Sequence, residues 1–220
     1  MRPIHVIHIP KTGGTALRAA LSAAPHPERF LFHDHLFTLA DVPSGDGAVF
    51  GLRDPIERFV SGFNSRRRRG RPRYDFPWTP IQAEGFGYFT TAGAMAEALS
   101  SSHADRRSAA NGLIRDMLLT GVPLSYWLRS PAYLRGREAD LVGILFQPDL
   151  GEDFERLKIR LDLPKALSLP ADDVAAHRGP NDASTALSPL ARVNLKAWYA
   201  GDYGLYRAAR RSRLRLLNRG

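Results

Sequence analysis

The chain contains no cysteine, which excludes disulfide cross-links, thiolate metal sites and cysteine nucleophiles while leaving the compartment open. It also lacks any window approaching about eighteen uninterrupted apolar residues, so no membrane-crossing helix is expected. The first residues run directly into a strand pattern instead of a charged leader and an apolar stretch. The expectation is therefore no signal peptide and a cytoplasmic location. No internal repeat or low-complexity linker interrupts the 220 residues, a length that suits one sizeable core and a single domain over 1–220. Acid is scarce relative to base: 22 Asp and Glu face 31 Lys and Arg, for a formal net charge of +9. Acidic partners follow from that field, whether phosphate, sulfate, uronate glycans, nucleic acid or anionic lipid, and charge alone does not choose among them. The apolar fraction of 44% and charged fraction of 24% are those of an ordinary globular chain.

Hydrophobic patterning supplies the elements. Ile4 to Ile9 is a short β-branched run that reads as a buried strand. From Thr15 the apolar residues Leu17, Ala20, Leu21 and Ala24 fall at helical spacing, stopped by Pro25. Phe30 to Phe32 is a second strand, Ala48 to Leu52 a third and Leu141 to Phe146 a fourth. Asp54 and Pro55 suit an N-cap and first helical position, with Glu57 as a capping-box acid and Ile56, Phe59, Val60 and Phe63 forming one apolar stripe. Residues 65 to 90 read as a long loop, rich in Arg, Pro, Gly and aromatics. Helices are expected over about 92–101 and 105–119, over Asp153 to Leu161, and from Ser188-Pro189 to about Tyr199. A basic tail from about 207 to 220 is expected to fray. Strands alternating with helices predict an α/β fold with a mostly parallel central sheet.

Between the first strand and first helix stands Pro10-Lys11-Thr12-Gly13-Gly14-Thr15. Amides at a helix start point outward and the helix dipole favours an anion there. Glycines let an anion approach the backbone closely, Thr12 and Thr15 bring hydroxyls, and Lys11 brings a cation. A tight turn with a solvated lysine is the plainer alternative. The order is not that of a Walker A loop, in which the lysine follows the glycines. The stretch HIPKTGGTAL resembles the 5′-phosphosulfate loop of carbohydrate sulfotransferases that use PAPS (3′-phosphoadenosine 5′-phosphosulfate), in the group that includes heparan sulfate 2-O-sulfotransferase. That resemblance implies a P-loop-like sulfotransferase fold. It also implies donor contacts from Lys11, Thr12, Gly13, Gly14, Thr15 and Ala16.

A second stretch, GLRDPIERFVSGF, sits roughly forty residues later. Arg53 ends a strand and Ser61 lies eight residues on in the next helix. An arginine forks to two phosphate oxygens and a serine hydroxyl donates to another. The segment resembles the same family's 3′-phosphate motif; a structural ion pair at Arg53 is the alternative. The third stretch is FLFHDHLF, where alternation puts His33 and His35 on one side if the chain stays extended. A histidine suits removal of a hydroxyl proton near neutrality, while a metal site or two incidental histidines remain alternatives. The pair resembles the His-x-His of the uronyl 2-O-sulfotransferases. The resemblance implies His35 as base, with His33 as helper or substrate contact, and the order is reversible. His5 and His8 read as strand residues.

Arg66 to Arg69, with Arg71 and Arg73, form the densest charge. They read as a solvated loop, as a nucleic-acid patch beside Tyr74, Phe76 and Trp78, or as a lip for an anionic glycan. In HRGPNDAS, Arg178 is a candidate further phosphate contact by resemblance, against a plain loop residue. The expected activity is therefore PAPS-dependent O-sulfotransfer to a carbohydrate, giving PAP, without a metal. A P-loop-type kinase or NTPase and an Arg-rich nucleic-acid-binding protein are the competing classes.

Overall fold

The computed structural model describes residues 2–171 and 186–217. Arg178 and most of its loop lie outside them. In chain order the elements are β1 (Ile4–Ile7), α1 (Gly14–Ser22), β2 (Phe30–Phe32), β3 (Gly47–Leu52), α2 (Pro55–Arg67), α3 (Pro80–Tyr88), α4 (Ala92–Ala98) and α5 (Ala104–Asp116). They continue with α6 (Leu118–Gly121), α7 (Leu124–Leu128), α8 (Pro131–Gly136), β4 (Leu141–Phe146), α9 (Leu150–Leu161), α10 (Pro189–Trp198) and α11 (Ala200–Leu217). The protein is α/β, with a four-stranded, all-parallel sheet in the order β2-β1-β3-β4.

The chain forms two compact units. The first comprises Met1–Asp54, Leu124–Arg178 and Gly201–Gly220, and the second Pro55–Pro123 and Gly179–Ala200. The sheet belongs to the first. Its strands are apolar on both faces because a parallel sheet needs crossover connections that cover it. Ile4 and Val6 of β1, Phe30 of β2, Val49 of β3 and Val142 of β4 share a core with Leu17, Ala20 and Leu21 of α1 and Phe154, Leu157 and Leu161 of α9. Gly143 admits Leu157: a Cβ there would stand 2.8 Å from its Cδ1.

The second unit is helical. Phe59 and Phe63 of α2 are fully buried, and Gly62 lets Thr120 of α6 lie against the helix backbone. The second arginine of RDPIER, Arg58, is a buried staple here. It donates to the carbonyls of Leu119 (2.9 Å) and Val122 (3.1 Å), which terminate α6. Such orphan carbonyls at a helix end need a donor.

Two expectations need correction. Residues 65–90 are not one long loop. The helix α2 runs to Arg67, and α3 forms because Thr79 caps it, accepting from Gln82 N–H at 3.1 Å, with Pro80 at the first turn. The basic tail is the body of α11 through Leu217, where Arg213 pairs with Asp149 (2.8 Å) and Asp153 (2.6 Å).

Candidate functional site

The chain leaves β1 and turns left-handed twice before α1. Lys11 has φ 66 and Gly13 φ 90, the first a conformation that L side chains seldom take and that concentrates at functional positions. The first backbone bond of α1 is Leu17 N–H to Gly13 C=O at 3.1 Å. The amides of Gly14, Thr15 and Ala16 therefore precede the helix ladder. Gly13 gives no side-chain cap, and no acid stands in the first turn. An anion is the natural complement to such an end.

Packing around this turn differs from the sequence expectation. Thr12 is fully buried and its hydroxyl donates to Ile9 C=O at 2.8 Å, so that proton closes the turn instead of facing a ligand. The missing Cβ of Gly14 makes room for the His8 ring, 2.5 Å from where a Cβ would stand, and that of Gly13 for Gln147 Oε1 at 2.8 Å. Gln147 Oε1 is buried without a hydrogen-bond partner among the described residues. Gly51 of β3 lets the Thr12 carbonyl pass, 2.5 Å from an added Cβ. The turn is thus fitted to β3, the next strand across (Ile7 lies opposite Phe50). The chain goes from β1 outward to β2 and then back past it to β3, so β1 and β3 border the point where strand order reverses. In open parallel sheets ligands gather there, beyond the carboxyl ends. Arg53 follows β3 directly, at the same edge, and is half-buried; Ser61 lies half-buried on α2 in the second unit.

The histidine pair does not present two rings to one point. Asp34 Oδ1 accepts Leu36 N–H at 2.8 Å, an Asx turn that bends the chain at His35 once β2 has ended. His35 goes to the cradle: its Nδ1 contacts His8 C=O at 2.9 Å, and its ring lies 4.2 Å from the His8 ring. Since a carbonyl only accepts, the Nδ1 carries the proton and Nε2 the lone pair. His33 meets β1 instead. Its Nε2 lies 3.0 Å from His5 Nδ1, and His5 Nε2 lies 3.2 Å from Asp46 Oδ2.

His33 also lines an open cleft of about 650 Å³ with Arg18, Phe32, Asp34, Leu36, Phe37 and Asp41. Arg18 lies one turn along α1 from Gly14, its guanidinium 5.2 Å from the Phe32 ring centre. Burial pushes the His33 imidazole below the ordinary histidine range and His5 pushes the same way, while Asp34 and Asp41 oppose. Bonds from the Thr38 hydroxyl and amide hold the Asp41 carboxyl below the usual range.

No family model, curated protein or solved structure matches the chain. Its own residues carry the reading. Among the described residues, no helix is long and apolar enough to cross a membrane, and no group of three or more His, Asp or Glu is placed to hold a metal ion. Of the arginine cluster, Arg66 binds Gln82 (2.5 Å) and the carbonyls of Phe76 (2.9 Å) and Pro77. Arg71 pairs with Asp75 at 2.6 Å, and Arg69 lies over Trp78 at 4.9 Å. Half of these six arginines therefore shape their own loop. His5, His8, Asp46 and Gln147 are the site residues that sequence reasoning missed. His5 and Asp46 become visible only once the registers of β1 against β2 and β3 are known.

Proposed function

We propose that the protein is a PAPS-dependent O-sulfotransferase with a P-loop-like sulfotransferase fold, acting on a carbohydrate hydroxyl and releasing PAP. The observation that carries this is the strained Lys11–Gly13 turn opening an uncapped, acid-free helix start at the reversal point of a parallel sheet. In this reading the amides of Gly14, Thr15 and Ala16 hold the 5′-phosphosulfate. Thr15 adds its hydroxyl, whereas Thr12 contributes backbone alone. Arg53 holds the 3′-phosphate, the handle that separates PAPS from ATP, and Ser61 is assigned to it by resemblance alone. Lys11 neutralises charge building on the oxygen that leaves sulfur, which matters most in the transition state. The His33/His35 pair supplies the base. Arg178 retains the standing of an added phosphate contact proposed by resemblance.

Calorimetric titration with PAP, ADP and magnesium-ATP tests the donor. PAP is expected to bind at least tenfold more tightly than either, and Arg53→Ala to remove that preference. Lys11→Ala is expected to leave PAP affinity within a few-fold while turnover falls by two orders of magnitude or so. Magnesium-ATP binding as tightly as PAP would replace this reading with the kinase class.

A further inference from the structure

Asp46, His5 and His33 stand in one hydrogen-bonded line that the donor site does not use. A carboxylate only accepts, so the 3.2 Å contact at Asp46 places a proton on His5 Nε2. Neutral His5 then has its lone pair at Nδ1, and the 3.0 Å contact needs a proton on His33 Nε2. His33 is left with its lone pair on Nδ1, which takes no hydrogen bond among the described residues. The two imidazoles are nearly parallel, 5° apart with centroids at 5.1 Å, and meet nitrogen to nitrogen. Phe37 lies flat against His33 at 3.4 Å and overhangs His5 at 5.5 Å, which restrains both rings. The His5 side chain is 8% exposed and Asp46 25%, whereas His33 opens on the cleft. The line thus runs from a sheltered carboxylate to a basic nitrogen.

We propose that Asp46, His5 and His33 form a proton relay whose accepting atom is His33 Nδ1, and that the cleft receives the hydroxyl-bearing ligand. The proposal rests on the sulfotransferase reading only for what the hydroxyl oxygen does next. When the ligand O–H bond breaks, its proton bonds to His33 Nδ1. The His33 Nε2 proton passes to His5 Nδ1, and the positive charge comes to rest beside Asp46. The oxygen keeps its electron pair and bonds to sulfur as the bond from sulfur to the bridging phosphate oxygen breaks. Two protons shift along the line for a net transfer of one, and no further reactant is needed.

Among the described residues His35 is backed by a neutral carbonyl alone, which stabilises a developing imidazolium less than a carboxylate does. Its ring lies against that of His8, which in turn fills the space at Gly14. His33 is therefore the base and His35 the contact nearer the donor. Asp46 and His5 are positioning residues. Arg18, Asp34 and Asp41 are the other charged groups that face His33 in the cleft.

The test is the ring-nitrogen NMR spectrum of the full chain labelled with 15N-histidine, with donor and acceptor both absent. Above its titration, His33 is expected to carry its proton on Nε2 and its lone pair on Nδ1. In Asp46→Asn its midpoint moves to lower pH and its tautomers mix, while Asp46→Glu restores the wild-type pattern. A proton on His33 Nδ1 in the wild type overturns the relay, and so does an Asp46→Asn spectrum with unchanged tautomer and midpoint. In a sulfuryl-transfer assay, His33→Gln is expected to lose about 10²–10⁴-fold in kcat, with PAP affinity retained. A greater loss from His35→Gln overturns the assignment of the base. Failure to bind PAP removes the sulfotransferase reading alone, since the histidine spectrum still decides the relay.

Discussion

One methyl group separates two uses of glycine in this chain. Gly51→Ala would set a Cβ 2.5 Å from the Thr12 carbonyl oxygen, a backbone atom that cannot swing away, so β3 or the turn must shift. The expected cost is about 1–3 kcal/mol, or roughly 2–12 °C in Tm for a chain of this size, together with weaker PAP binding. Gly87→Ala on α3 meets nothing within 4 Å and serves as the control. It should be neutral or stabilise by a few tenths to about 1 kcal/mol. Equal Tm values for the two variants would show that the turn is not fitted to β3. The strand, the glycine turn and the helix start were legible from sequence, because all three are local. What fills the missing Cβ positions was not: His8, Gln147 and the Thr12 carbonyl arrive through tertiary packing. The same holds for Thr12, whose hydroxyl was expected to face outward and instead closes the turn on Ile9.

Elements were legible in proportion to their own periodicity. The strands Phe30–Phe32 and Leu141–Phe146 have the bounds that their apolar runs predict, and α2 starts at Pro55, where Asp54-Pro55 places it. Helix α3 has no apolar stripe of its own. It is held by its Thr79 cap and by Gly85, which admits the Leu113 side chain of α5 to 2.8 Å from an added Cβ, a relation that composition cannot reveal. The tail was misread for a related reason. Its many arginines look solvated until their partners are known. Asp153 is buried on α9, accepts Phe146 N–H at 2.8 Å and pairs with Arg213 at 2.6 Å. Burial raises its carboxyl above the ordinary range, while Phe146 and Arg213 oppose that rise. Arg213→Met strands that charge in part, since Arg156 still stands 3.3 Å from Asp153 Oδ1, and the expected loss is about 1–3 kcal/mol. Arg213→Met combined with Asp153→Asn should lose less than the single variant in urea denaturation. A double variant no more stable than the single one would remove the stranded charge as the cause.

At the scale of the whole molecule, the histidine line makes stability depend on pH. Unfolded His33 takes up a proton near its ordinary value of 6.5, whereas burial makes the folded imidazole wait for a lower pH. As pH falls below about 6.5, the unfolded chain binds more protons than the native one, and stability declines until the folded group also titrates. Above 6.5 this contribution is constant. Between pH 7 and pH 5 the wild-type Tm should therefore fall more steeply than that of His33→Gln. Parallel slopes would mean that His33 titrates alike in both states.

The first unit is also assembled from three separated stretches of chain: Met1–Asp54, Leu124–Arg178 and Gly201–Gly220. On the ribosome, β1, β2 and β3 emerge early with the cradle between them, yet β4 follows only after about ninety further residues. The arginine that neutralises Asp153 comes later still, at position 213. Helices of the second unit can form meanwhile from local contacts, whereas the parallel sheet must wait for distant ones. The nascent chain consequently carries β3 with an unpaired edge through much of its synthesis. A chaperone that shelters strand edges would be needed most in that interval, before the Lys11–Gly13 turn has a finished sheet beneath it.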